Sequence, residues 1–77
     1  MRAYLTELLT GPYQVPAPVD TGLSLAELGL DSLTRAEFGA EIQDRLGVAV
    51  EEDAVSADTT VDRLADVLTA KGAHLSS

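Results

Sequence analysis

One hydroxyl in this chain is placed where it can do chemistry. It belongs to Ser32, in the tripeptide Asp31-Ser32-Leu33, between the apolar turn Leu28-Gly29-Leu30 and an amphipathic stretch that runs to Leu46. A serine that catalyses by itself needs a base to take its proton and usually a third group to orient that base. The only histidine is His74, in the C-terminal tail, and there is no cysteine, no nucleophile-elbow glycine pattern and no phosphate-binding glycine loop. These gaps argue against a hydrolase or a kinase, and no catalytic residue is assigned. Spacing alone leaves Ser32 two roles: a helix-start cap, which is the simpler one, or a serine that other proteins modify. The acidic run Glu51-Glu52-Asp53 lacks the alternating ligands and sharp glycine turn of an oxygen-ligand cation loop. It reads as the solvated start of a helical turn, where negative charge is favoured, and no metal site is expected.

The elements that must position Ser32 follow from size and pattern. Seventy-seven residues make one domain, residues 1–77, with 71–77 expected to fray. Tyr4, Tyr13 and Phe38 are the only aromatic residues, so the core must come from Leu, Val, Ile and Ala, which favours helices over a sandwich or barrel. Leu5, Leu8 and Leu9 recur at helical spacing within Arg2 to Thr10, and Gly11-Pro12 stops that first helix. Pro12, Pro16 and Pro18 then make an irregular, ordered loop, with Val15 and Val19 turned inward. Within it, Ser24-Leu25-Ala26-Glu27 fits a capping box, so one helical turn is expected over Ser24 to Leu28, with Leu23, Leu25, Leu28 and Leu30 tying the loop to the core.

After Asp31, the spacing of Leu33, Phe38, Ile42 and Leu46 predicts the main helix, closed by a left-handed cap at Gly47. Thr34, Arg35, Glu37, Glu41, Asp44 and Arg45 are assigned to its other face, with Ala36 and Ala40 as a shallow apolar strip for the core or for a partner. Gly39 lies mid-helix at a propensity cost of roughly 1 kcal/mol. Val48-Ala49-Val50 is too short for a strand and reads as a buried connector, followed by one turn over Glu51 to Val55. Thr59, with Asp62 three residues on, predicts a second capping box. Val61, Leu64, Ala65, Val67 and Leu68 then form a last apolar helix face, ending near Lys71-Gly72.

A formal charge of −8 repels nucleic acid and anionic membrane surfaces and favours partners with a basic docking patch. Residues 1–9 contain Arg2 and Glu7 and never reach the apolar run of a signal peptide or membrane span, so a cytoplasmic protein without membrane contact is expected.

Leu28-Gly29-Leu30-Asp31-Ser32-Leu33, followed by Phe38, Ile42, Leu46 and the Gly47-Val48 turn, resembles the phosphopantetheine-attachment region of acyl carrier proteins. The likeness extends through Val55 and Thr59 to Leu68. The resemblance implies an all-α bundle of three main helices plus a short one, with a long ordered loop after the first helix. It implies that Ser32, flanked by Asp31 and Leu33, receives 4′-phosphopantetheine from coenzyme A through a magnesium-dependent phosphopantetheinyl transferase. A monomeric, free-standing carrier follows from it, holding acyl groups as thioesters and presenting them to a ketosynthase, an acyltransferase or an adenylating enzyme. Leu33, Ala36, Glu37, Ala40 and Glu41 are the expected docking residues.

Carriers of primary fatty-acid synthesis commonly have an acidic residue after the serine-leucine pair, whereas Thr34 and Arg35 follow here. That points to a dedicated secondary-metabolite pathway, polyketide-like or mixed, of the antibiotic kind. Gly29-Leu30-Asp31 favours acyl cargo over the aminoacyl or peptidyl cargo of a nonribosomal pathway. The alternative of a different class is a small helical adaptor that is never modified.

Overall fold

The apolar spacing becomes three helices around one aliphatic core. The computed structural model describes residues 1–72, so His74 and the tail beyond Gly72 lie outside the described residues. The elements are α1 (Arg2–Thr10), α2 (Ser32–Leu46), a 3₁₀ turn (Glu52–Val55) and α3 (Val61–Ala70). This is the expected all-α bundle. Leu5, Leu8 and Leu9 of α1, Phe38 and Ile42 of α2, Val55 of the turn, and Val61, Leu64, Ala65 and Leu68 of α3 form the buried cluster. Fully burying side chains of this kind contributes about 1.5 to 3 kcal/mol each, which is what offsets the ordering of so short a chain.

The long loop after α1 is held by its own side chains and by backbone bonds. Val15, Leu25 and Leu30 are buried in the core, and Val19 and Leu28 pack against it. Leu23 does not join them and is half-buried at the surface. The expected capping box closes: the Ser24 N–H donates to Glu27 Oε1 at 2.9 Å, and the Glu27 N–H donates to Ser24 Oγ at 3.1 Å. Beside this turn the loop pairs with the segment that enters α3, through an isolated antiparallel bridge between Ser24 and Thr60. Leu25 N–H donates to the Thr59 carbonyl at 2.8 Å and Ala26 N–H to that of Ala57 at 3.1 Å. No local pattern in the loop announced this pairing.

The same pairing moves the start of α3 by one residue. Thr60, not Thr59, is the N-cap, and its side chain accepts from the Arg63 N–H at 3.0 Å. Thr59 is buried instead. Its carbonyl is taken by Leu25, and its hydroxyl lies 2.8 Å from Ser56 Oγ and within reach of the Asp53 carbonyl. A threonine committed on both sides to other segments is not free to cap.

Helix α2 ends on Gly47 at φ 68°, the left-handed cap that the spacing predicted. Its mid-helix glycine has a packing reason. A Cβ on Gly39 would lie 3.2 Å from Val55 Cγ2, so the 3₁₀ turn seats against bare helix backbone. Val48 and Val50 pack on the core as a connector, and Lys71 Nζ straps that connector to the end of α3 by donating to the Ala49 carbonyl at 3.0 Å. Lys71 and Gly72 form the closing turn of α3, with Lys71 N–H bonded to the Val67 and Leu68 carbonyls. Among the described residues no helix is long and apolar enough to cross a membrane.

Candidate attachment site at the start of α2

Asp31 and Ser32 divide the work of a helix start. Asp31 has an extended backbone, φ −77° and ψ 178°, and its Oδ1 accepts the Thr34 N–H at 2.8 Å. That bond is the main reason its carboxyl lies below the usual aspartate range, with the charge of Arg35 adding to it. Ser32 is the first residue of the helix and is exposed, and its hydroxyl has no hydrogen-bond partner among the described residues. The capping role that spacing offered to Ser32 therefore belongs to Asp31. A phosphodiester-linked group needs an uncommitted, outward hydroxyl, and a helix N-terminus tolerates the added negative charge. Ser32 meets both conditions.

Next to it, Leu33 is 70% exposed, the one large hydrophobic residue so exposed among the described residues. It stands five residues before Phe38, off the four-residue steps of Phe38, Ile42 and Leu46, and lies beyond the core in solvent. Ala36, Glu37 and Ala40 are exposed with it, so the alanine strip faces outward. Glu41 differs from them. Its Oε1 accepts the Tyr13 hydroxyl at 3.0 Å and its Oε2 accepts Arg45 Nε at 2.9 Å. Tyr13 in turn meets Phe38 edge-on, with ring centroids 5.3 Å apart. Burial, followed by the bond to Glu41, pushes the Tyr13 phenol up to about 12. Glu41 is thus a clasp between the loop and α2.

Arg35 is a second departure from the outward face assigned to it. It is half-buried, and its Nη1 donates to the Leu30 carbonyl at 2.9 Å. The signal was in the spacing: Arg35, Phe38, Gly39 and Ile42 follow the i, i+3, i+4, i+7 rule of one helix face, and the last three are buried. Elsewhere, Glu51, Glu52 and Asp53 sit at the solvated start of the 3₁₀ turn, and no group of three or more metal-ligating side chains occurs among the described residues. A groove between that turn and α3, lined by Asp53, Ser56, Thr59, Arg63 and Lys71, does not include Ser32.

Residues 4–68 match the family described as Phosphopantetheine attachment site, a span from α1 to the last buried leucine of α3. Over 69 residues the chain is also 30% identical to 5-methylorsellinic acid synthase of Aspergillus terreus (strain NIH 2624 / FGSC A1156). That alignment takes in 90% of this chain but 3% of the synthase, so the chain corresponds to one small stretch of a far longer protein. No solved structure matches the chain. A match that runs through every helix, on a bundle that presents an uncommitted serine, is decisive: the chain belongs to the phosphopantetheine attachment family, whose members are carrier domains rather than catalysts and bear a covalently attached 4′-phosphopantetheine.

Proposed function

We propose that this chain is a free-standing acyl carrier protein, loaded on Ser32 and working in the cytoplasm for a secondary-metabolite pathway of polyketide-like or mixed type. The observation that carries the reading is the free, exposed Ser32 hydroxyl beside a capping Asp31. The bound arm would supply a thiol that holds an acyl group as a thioester and carries it between enzymes. On loading, Ser32 Oγ bonds to the coenzyme A phosphorus nearer the pantetheine as that phosphorus loses its bond to the bridging oxygen. Adenosine 3′,5′-bisphosphate leaves with the electron pair, and the hydroxyl proton passes to a base on the transferase. Asp31 keeps the first turn of α2 rigid while this happens, and Leu33, Ala36, Glu37 and Ala40 offer partners an apolar stripe beside acidic charge. Glu41, held by Tyr13 and Arg45, completes that surface.

Similarity to a synthase named for an organic acid favours acyl over aminoacyl cargo. A core that draws on every helix and on the loop favours a unit that folds alone. Incubation with coenzyme A, magnesium and a promiscuous phosphopantetheinyl transferase should raise the intact mass by one phosphopantetheine, on the Ser32 peptide, and leave Ser32→Ala unchanged. No gain with an active transferase would leave the unmodified adaptor as the better reading. Intact mass of the protein from its own host tests the remainder. A species of 8.1 kDa plus a loaded arm supports a separate acyl carrier, an amino acid on the arm supports the peptidyl alternative, and a much larger chain rules out the free-standing form.

A further inference from the structure

A guanidinium on the inward face of a helix costs desolvation unless something on that face needs it. Arg35 shares its face with Phe38, Gly39 and Ile42, all buried, and lies half-buried itself. What it meets is the Leu30 carbonyl, 2.9 Å from Nη1. Leu30 is the last core residue before the site: its side chain is buried and its N–H is already bonded to the Leu25 carbonyl at 3.1 Å. The charge-assisted bond from Arg35 therefore ties the backbone that delivers Asp31 and Ser32 to the helix they begin. Ser32 and Arg35 are also neighbours on the helix surface, three residues apart. Around them the chain is acidic, with Asp31 adjacent and a net charge of −8, so a phosphodiester on Ser32 enters a field that repels it.

We propose that Arg35 is the positioning residue of the attachment site. It holds the entry to α2 through the Leu30 carbonyl and sets a counter-charge one helical turn from Ser32 for the phosphodiester. The inference rests on Ser32 being the residue that is loaded. It adds a role to a side chain that the outward-face pattern treated as solvated.

The test uses the full chain with coenzyme A, magnesium and a phosphopantetheinyl transferase, following apo-to-holo conversion by intact mass. Arg35→Gln should lower kcat for conversion about tenfold with little change in KM, because the docking stripe is untouched. Arg35→Lys, which keeps the charge, should recover most of that loss. Wild-type kcat in Arg35→Gln, or an Arg35→Lys protein of normal helicity that is as slow as Arg35→Gln, overturns the proposal. A second measurement needs no variant: the Arg35 Nε–H resonance of the wild type should shift between the apo and holo forms, and an unmoved resonance overturns the counter-charge. Failure of the wild type to gain mass on Ser32 sinks the functional reading instead, which keeps the two failures apart.

Discussion

Ser24 and Ser32 stand eight positions apart in one chain, each at the start of a helical turn, and their hydroxyls have opposite fates. Ser24 is consumed by structure: its Oγ takes the Glu27 N–H while Glu27 returns the favour to the Ser24 N–H. Ser32 is spared because the residue before it supplies the cap, with Asp31 Oδ1 on the Thr34 N–H. The surroundings differ as well. Ser24 bridges to Thr60 and sits in the seam between loop and α3, whereas Ser32 opens a long helix beside an exposed leucine. A helix-start serine is thus available to another protein's chemistry only where a neighbour meets the helix's need for an acceptor. Capping box and proposed attachment site look alike as local sequence, and their hydroxyls differ in being bonded or free.

The sharpest way to break this comparison is to offer both serines to the transferase. Ser24→Ala should load to completion and Ser32→Ala not at all, by intact mass; any transfer to Ser24 would show that a spent cap can be recruited. Next in size, Phe38→Ala should cost about 3 to 5 kcal/mol in denaturant unfolding, because it empties the buried site that Tyr13 packs against and that fixes α2. A loss that large approaches the whole stability of a small domain, so loading should fall with the folded fraction. Ser24→Ala should cost about 1 kcal/mol, the worth of one capping hydroxyl. Ser32→Ala should cost almost nothing, and equal losses in the two variants would erase the distinction.

The smallest effect is in pH. The carboxyls of Glu27 and Asp31 are both lowered, chiefly by the N–H groups of Ser24 and Thr34 respectively. A lowered folded-state value means that each contributes fully above its unfolded value, 4.5 for Glu27 and 3.8 for Asp31, and fades as pH falls below it. Urea midpoints taken between about pH 5 and pH 2 should therefore decline, and Asp31→Asn should flatten the lower part of that decline. An unchanged slope in Asp31→Asn would mean that the carboxylate is not the cap in solution.

Much of the fold was legible because helices announce themselves locally. The runs Leu5-Leu8-Leu9 and Leu64-Ala65-Leu68, the Ser24-Glu27 box and the Gly47 stop each act within a few residues, and each is where the spacing put it. The site was legible in outline for the same reason, since Asp31-Ser32-Leu33 lies at a predictable helix start. Less legible were residues whose roles depend on distant partners. Glu41 reads as a surface acid until Tyr13, 28 positions away, donates to it. Gly39 reads as a defect until Val55 takes the space that a Cβ there would need. Thr59 and Thr60 are indistinguishable as caps until Leu25 takes the Thr59 carbonyl.

The residue inventory and local spacing were by themselves enough to determine three helices and a serine at the start of the second, preceded by an aspartate able to cap it. Those properties are set by composition, by the 3.6-residue period and by capping chemistry, none of which reaches further than a turn. Only the tertiary structure decided that the alanine strip faces solvent while Arg35 turns in, and that Glu41 takes the Tyr13 hydroxyl. Each of these depends on which donors and surfaces are brought together across the chain, and a hydrogen bond or a buried face exists only once both of its sides have arrived.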